Sequence, residues 1–136
     1  MIEKDMWRIL YPQIRGYCHV TRVEGAVSFG LPDIELATKG KSMWIEFKID
    51  KGGYFLIKPT QLAWHLSRLK RNCRNAFFIV AMKDDSFNLY PAERIIKLSN
   101  IVTTGMQVRV GLHEVIFSVH KSHMFELIDE AYRCLD

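Results

Sequence analysis

Two carboxylates and an ammonium have types and spacing that could do chemistry together. Asp33 follows a proline, and Glu46 precedes Lys48 by two residues, in Pro32-Asp33 … Glu46-Phe47-Lys48. Side chains alternate faces along a strand, so Glu46 and Lys48 share one face and Ile45 and Phe47 take the other. The run Met43 to Ile49 is otherwise apolar enough for a buried strand. Buried charges are costly unless they are paired or ligate a metal. Asp33 and Glu46 are the oxygen ligands that Mg2+ or Mn2+ takes, and the Phe47 carbonyl would add a third oxygen. A cation held there acidifies a bound water for in-line attack on phosphorus. Lys48 would sit beside that water, orienting it or offsetting charge that develops on the phosphate. A Glu46–Lys48 salt bridge on an exposed sheet edge would use the same residues, so the short pattern alone leaves both readings open.

The flanking sequence supplies elements that could position this group. Residues 2 to about 11 repeat apolar positions at helical spacing, and Pro12 should end or kink that helix. Glu3 shares a face with Trp7, Leu10 and Ile14. Tyr17 to Val23 alternates as a strand, followed by a loop from Glu24-Gly25 to Gly30. Pro32 to Ala37 and Met43 to Ile49 read as strands joined by a turn at Lys39-Gly40-Lys41. Asp50-Lys51-Gly52-Gly53 is a loop, and Tyr54 to Ile57 is extended. Pro59 starts a helix to about Asn72. Its stripe Leu62, Leu66, Leu69 and Cys73 should bury against the sheet, leaving Gln61, His65, Arg68 and Asn72 on a polar face. That face could hold the water or a backbone phosphate. The run 76–82 reads as a strand covered on both sides. Ser86 to Tyr90 is a further strand, and Pro91 to Leu98 a short helix. Alternation over 108–112 and 115–119 predicts a β-hairpin, and an apolar stripe predicts a last helix at about 122–135.

Composition bounds the class. The chain has 136 residues, 49% of them hydrophobic, enough for one domain with a core. No run approaches a membrane span and no secretory signal opens the sequence, so a cytoplasmic protein is expected. Cys18, Cys73 and Cys134 are odd in number and widely spaced, so they are expected to be reduced and partly buried. His113, His120 and His123 lack the second ligand pair of a zinc site. The net charge is +4 and the pI about 9.0. Residues 39–74 carry +7, leaving −3 elsewhere, so the positive charge surrounds the acidic group. That arrangement suits a polyanion, with nucleic acid first. Lys39, Lys41, Lys51, Lys58, His65, Arg68 and Arg71 are the candidate DNA contacts.

The residues Pro32-Asp33 and Glu46-Phe47-Lys48 resemble the signature of the PD-(D/E)XK nuclease superfamily. More narrowly, GLPDIEL…KGKSMWIEFKI…KPTQLAWH resembles the virus-type replication-repair nuclease (VRR-NUC) branch and small phage endonucleases. Archaeal-type Holliday junction resolvases share that core. The resemblance covers about 80 residues and matches the order of elements already read from residues 2 to 82. It implies an α/β (α+β) restriction-endonuclease-like core of order αβββαβ at about 1–82, a mixed sheet flanked by helices. From Ser86 onward the resemblance assigns nothing, and the hairpin and last helix there rest on periodicity alone. With no repeat or linker in the sequence, 1–136 is expected to be one nuclease domain whose residues 86–136 elaborate the core. Asp33 and Glu46 would bind Mg2+ or Mn2+, Lys48 would assist catalysis, and Gln61 stands where the family often has a glutamine near the site. The family also often has a glutamate upstream. Glu24 is favoured over Glu3 for that place because its loop must pass close to Asp33.

The activity so implied is metal-dependent hydrolysis of DNA phosphodiesters. The expected substrates are branched, flapped or Holliday junction DNA in phage replication, repair or recombination, in a host cytoplasm if the protein is phage-encoded. A four-way-junction resolvase needs two sites and hence a homodimer, for which the predicted hairpin and last helix could supply a surface. The competing class is a DNA-binding module that does not cut.

Overall fold

The computed structural model describes residues 1–23, 30–98, 101–112, 115 and 117–135. In chain order the elements are α1 (Glu3–Ile14), β1 (His19–Arg22), β2 (Ile34–Thr38), β3 (Lys41–Ile49), β4 (Tyr54–Ile57) and α2 (Pro59–Lys70). Then come β5 (Ala76–Ala81), β6 (Ser86–Pro91), α3 (Ala92–Leu98), β7 (Ile101–Thr104), β8 (Gln107–Gly111), β9 (Phe117–His120) and α4 (Phe125–Arg133).

Six strands form one mixed sheet in the order β1-β2-β3-β5-β6-β9. Among the described residues only β3 and β5 run parallel, with Glu46 opposite Phe78 and Lys48 opposite Val80. A parallel neighbour requires a crossover, which β4 and α2 provide. The β2–β3 connection is a two-residue turn in which Lys39 and Gly40 both have positive φ, 51° and 77°. That geometry matches the twist of the flanking strands, and glycine carries its second position without strain.

The sheet has an apolar layer on each face. On one side Met43, Ile45 and Phe47 of β3, Phe77 and Ile79 of β5, and Phe87 and Leu89 of β6 pack with Met6, Leu10 and Ile14 of α1 and Leu127, Ile128 and Ala131 of α4. Gln13 ties those helices together, donating to the Lys121 carbonyl at 3.1 Å and accepting the Phe125 N–H at 3.1 Å. On the other side Phe78 and Val80 pack with Phe55, Ile57, Ile95, Val108 and Val110. There α2, α3 and a three-stranded sheet, β4-β8-β7, cover the main sheet.

Four sequence expectations are corrected. Helix α1 continues through Pro12 to Ile14: the proline stands two residues before the end of the helix, and the turn that contains it buries Ile14. The alternating segments 108–112 and 115–119 are not partners among the described residues. Strand β8 lies between β4 and β7, whereas β9 pairs with β6 at the edge of the main sheet. Strand β7, absent from the sequence reading, supplies the hairpin instead, turning at Gly105-Met106. Alternation reports a half-buried strand but not its neighbour. The faces of α2 are corrected in part: Leu62 and Leu69 pack against the second layer as expected, but His65 is buried and Leu66 is 42% exposed. The last helix places its apolar stripe inside the first layer, so Met124, Leu127, Ile128 and Ala131 are not an open interface. Cys18 is buried, Cys73 half-buried and Cys134 exposed, and none is in a disulfide.

Candidate active site at the end of β3

Asp33 stands just before β2, where the β2–β3 ladder ends at the pair Ile34–Ile45. The next β3 N–H on that side belongs to Phe47, and Asp33 Oδ2 accepts it at 2.7 Å. A strand residue directs its N–H and C=O toward the same neighbour, so the Phe47 carbonyl leaves β3 on the Asp33 side. The Asp33 main-chain carbonyl accepts from Val23 N at 2.9 Å, which fixes the residue between β1 and β3. The chain enters Asp33 through Gly30, whose φ is +72°. A side chain there would place its Cβ 2.2 Å from the Thr60 carbonyl oxygen, so only glycine lets this loop lie on the first turn of α2.

Helix α2 meets β3 in register. Two strand residues advance about 6.6 Å and four helix residues about 6 Å, so i, i+2 positions on β3 can face i, i+4 positions on α2. Lys48 Nζ donates to Gln61 Oε1 at 3.0 Å. Two residues back, Glu46 Oε1 is 3.3 Å from His65 Nε2. Beside them, outside that spacing, the Trp44 and Trp64 rings lie 5.6 Å apart edge to face. Here lies the reason that the polar stripe of α2 faces inward: the strand beneath it presents Lys48, Glu46 and Trp44.

These side chains are buried between the sheet and α2. Glu46 is 1% exposed, Lys48 5% and His65 1%. Lys48 Nζ lies 3.2 Å from Glu46 Oε2 and 4.0 Å from Glu3 Oε1. A surface salt bridge at a sheet edge is thereby excluded. Among the described residues Glu46 Oε2 nevertheless has no hydrogen bond of good geometry, and His65 Nδ1 finds no hydrogen-bond partner.

Above the pair lies a cavity of about 330 Å3, lined by Glu3, Asp33, Lys48, Lys58, Gln61 and Gln107 with Leu31, Leu56 and Ile57. Glu46 is beneath its floor, covered by Lys48. Burial is the main influence on Asp33, pushing its carboxyl up to about 6. The Phe47 N–H opposes that shift, and the charges of Glu46 and Glu3 add to it. Burial also raises the Glu3 carboxyl, against the pull of Lys48.

The structure therefore brings Asp33, Glu46, Lys48, Gln61 and Glu3 together. Glu24, the preferred upstream acid, lies outside the described residues. Lys58 lines the cavity, and Lys51 lines an adjoining depression of about 260 Å3 that also holds Glu3 and Lys48. The other expected DNA contacts are elsewhere. His65 is buried against Glu46 and Phe78, so it cannot present itself to a polymer. Arg68 lies over Trp64 and donates to Asn75, which binds the Ser42 carbonyl at 3.0 Å. Lys39 and Lys41 sit at the opposite end of β3, and Arg71 beyond the last turn of α2. Gln107 is a cavity residue that no sequence pattern signals, since β8 is brought to the site by its non-local pairing with β4.

Among the described residues no three His, Cys, Asp or Glu side chains are grouped closely enough to hold a metal by themselves. Mg2+ binds through one or two carboxylates and keeps several waters, so two acids and a carbonyl are a fitting donor set for it. The unbonded Glu46 Oε2 is an observation in favour of that fit, with the Lys48 ammonium standing where a cation's charge would otherwise balance the acids.

The fold is similar to that of Hjc, a Holliday junction resolvase from the archaeal hyperthermophile Archaeoglobus fulgidus. The two are 14% identical over 80% of this chain and 83% of that one, with a TM-score of 0.54. A bacterial homing endonuclease is 10% identical over 97% and 92% of the two chains, with a TM-score of 0.45. No protein-family model and no curated protein matches the sequence. The mixed sheet with its flanking helices resembles the nuclease fold of Hjc.

Proposed function

We propose that this chain is a Mg2+- or Mn2+-dependent DNA endonuclease of the PD-(D/E)XK type, VRR-NUC-like, cutting branched, flapped or junction DNA. The observation that carries the reading is a cavity lined by Asp33 and Lys48, with the buried Glu46 carboxylate 3.2 Å from the Lys48 ammonium, on a resolvase-like fold. Asp33, Glu46 and the Phe47 carbonyl would hold the metal, with Glu3 or Glu24 as the further acid. The bound ion supplies a water of lowered pKa and a positive charge against the scissile phosphate. Lys48 stands at the cavity wall, where its ammonium offsets charge gathering on the phosphate oxygens. Gln61 fixes that ammonium by accepting from it. His65 fixes Glu46 from below. Lys51 and Lys58 flank the opening and draw the backbone in. A homodimer would bring two such cavities to a four-way junction, and phage replication, repair or recombination is the setting we infer for it.

One observation favours a binding module without cleavage: Lys48 covers Glu46, which leaves too few accessible carboxylates for a rigid metal cage. Both readings are separated by incubating the protein with labelled duplex, single strand, flap and four-way junction in Mg2+, Mn2+ or EDTA. Metal-dependent cutting that disappears in Asp33→Ala and Lys48→Ala is the expected result. Salt-sensitive binding with no cutting in either metal would leave the module.

A further inference from the structure

Positive charge extends far beyond the cavity. From Lys51 to Lys83 the chain has seven lysines and arginines and no acid. Helix α2 crosses the molecule within that stretch. Its exposed side carries Thr60, Ala63, Ser67, Lys70 and Arg71, with Leu66 as the large apolar side chain among them. At its far end a depression of about 580 Å3 is lined by Arg74, Arg94 and Lys97 with Phe77, Pro91, Glu93 and Cys134. Glu93 is the acid there. It binds Arg74 Nε at 3.1 Å and Lys97 Nζ at 3.0 Å, which joins α3 to the end of α2. Arg133 stands next to Cys134 but is matched by Asp129 and Glu130. The exposed Lys39 belongs to the same end, because Asn75 binds Ser42 just beyond the β2–β3 turn.

Arg71 lies ten residues along the chain from Gln61, about 15 Å at the helical rise. At about 3.4 Å per base pair that is four to five steps of duplex. We propose that the α2 track and its distal patch of Lys39, Lys70, Arg71, Arg74, Arg94 and Lys97 hold the phosphate backbone of a duplex DNA arm. The arm runs at least about five base pairs from the bond seated in the cavity. The proposal rests on the nuclease reading of that cavity. A duplex is the partner that fits. Unpaired strands are held by aromatic platforms, and no exposed aromatic stands on α2, whose Trp64 turns inward against Trp44. Short polar side chains along the track leave room for a wide, regular backbone, and cations wait at its end.

The test uses hairpin DNAs with a four-base-pair or a twenty-base-pair arm, binding being followed by anisotropy in EDTA across a salt series. The variant is K70Q/R71Q/R94Q, whose side chains are all exposed. On the long arm it should bind at least about tenfold more weakly, with a salt slope lower by about 2.7 for three lost phosphate contacts. On the short arm it should match the parent protein in affinity, and in Mg2+ the parent protein should cut the long-arm DNA. Equal long-arm affinity and slope in variant and parent would overturn the patch, as would tighter binding of duplex RNA or single strands that the variant loses. If nothing is cut but long-arm binding still falls in the variant, the nuclease reading fails and the patch stands.

Discussion

Lys48 and Gln61 face each other across β3 and α2 with their polar atoms 3.0 Å apart, and the same Gln61 oxygen accepts the Lys58 backbone N–H at 3.1 Å. One carboxamide therefore starts the helix and aims the lysine. A flexible four-carbon ammonium gains a defined position only through such a partner.

Gln61→Ala should separate these roles from substrate binding. With Lys48 unaimed, kcat should fall about 10- to 100-fold while KM changes little. Loss of the acceptor for Lys58 should cost the helix about 1 kcal/mol. Steady-state kinetics on the preferred DNA, beside a urea titration, reads both. A kcat within twofold of the parent would remove Gln61 from the positioning of Lys48.

Gly30→Ala should act through backbone geometry alone. The new methyl would meet the Thr60 carbonyl and the residue would hold a positive φ, so the loop must lift from α2. A loss of about 2 to 4 kcal/mol in stability is expected. Activity measured well below the new melting temperature should also drop, because Asp33 enters the site from this loop. Unchanged urea midpoints would mean that the loop does not rest on α2 in solution.

Much of this arrangement was legible in the residues, and the failures have physical causes. Period-2 alternation located β3 and put Glu46 and Lys48 on one face, which the structure shows. The order of elements through β5 followed from periodicity and from proline and glycine punctuation. The inward face of α2 was legible only in part: Leu62 and Leu69 pack inward as their spacing predicts, but helical periodicity does not say what lies under the neighbouring polar stripe. A polar stripe over Glu46 and Lys48 is satisfied inside, and Leu66 is left outside. The partner of β8 was likewise hidden. Val108 and Val110 alternate equally well against β9 or β4, and only the non-local packing on Phe55 and Phe78 selects β4.

Asp33 should leave a signature in the pH dependence of stability in EDTA. Its carboxyl is raised from 3.8 to about 6, mainly by burial. A raised acid stabilises the fold while protonated, fully below its unfolded value near 4, and that contribution is lost as pH rises through about 6. Glu3 shifts in the same direction. Asp33→Asn keeps an oxygen for the Phe47 N–H but cannot ionise. The variant should therefore gain on the parent between pH 4 and 6 and hold a constant advantage above that. Urea midpoints at half-unit intervals from pH 4 to 8 would show it; a difference independent of pH would contradict the burial of this carboxyl.

His65 offers a test that activity alone could not provide. It lies under Glu46, with Nε2 3.3 Å from Oε1, and packs against Phe78 at 4.8 Å between ring centres. His65→Ala removes both the support for the carboxylate and the volume beneath it. Mn2+ affinity, measured by calorimetry without DNA, should weaken about 10- to 100-fold. A stability loss of about 2 kcal/mol or more should accompany it, since a buried ring is replaced by space. His65→Gln returns a donor of similar reach but not the ring. It should therefore recover most of the Mn2+ affinity while staying less stable than the parent. If affinity instead followed stability across the two variants, His65 would be a packing residue and Glu46 would be held by β3 and Lys48 alone.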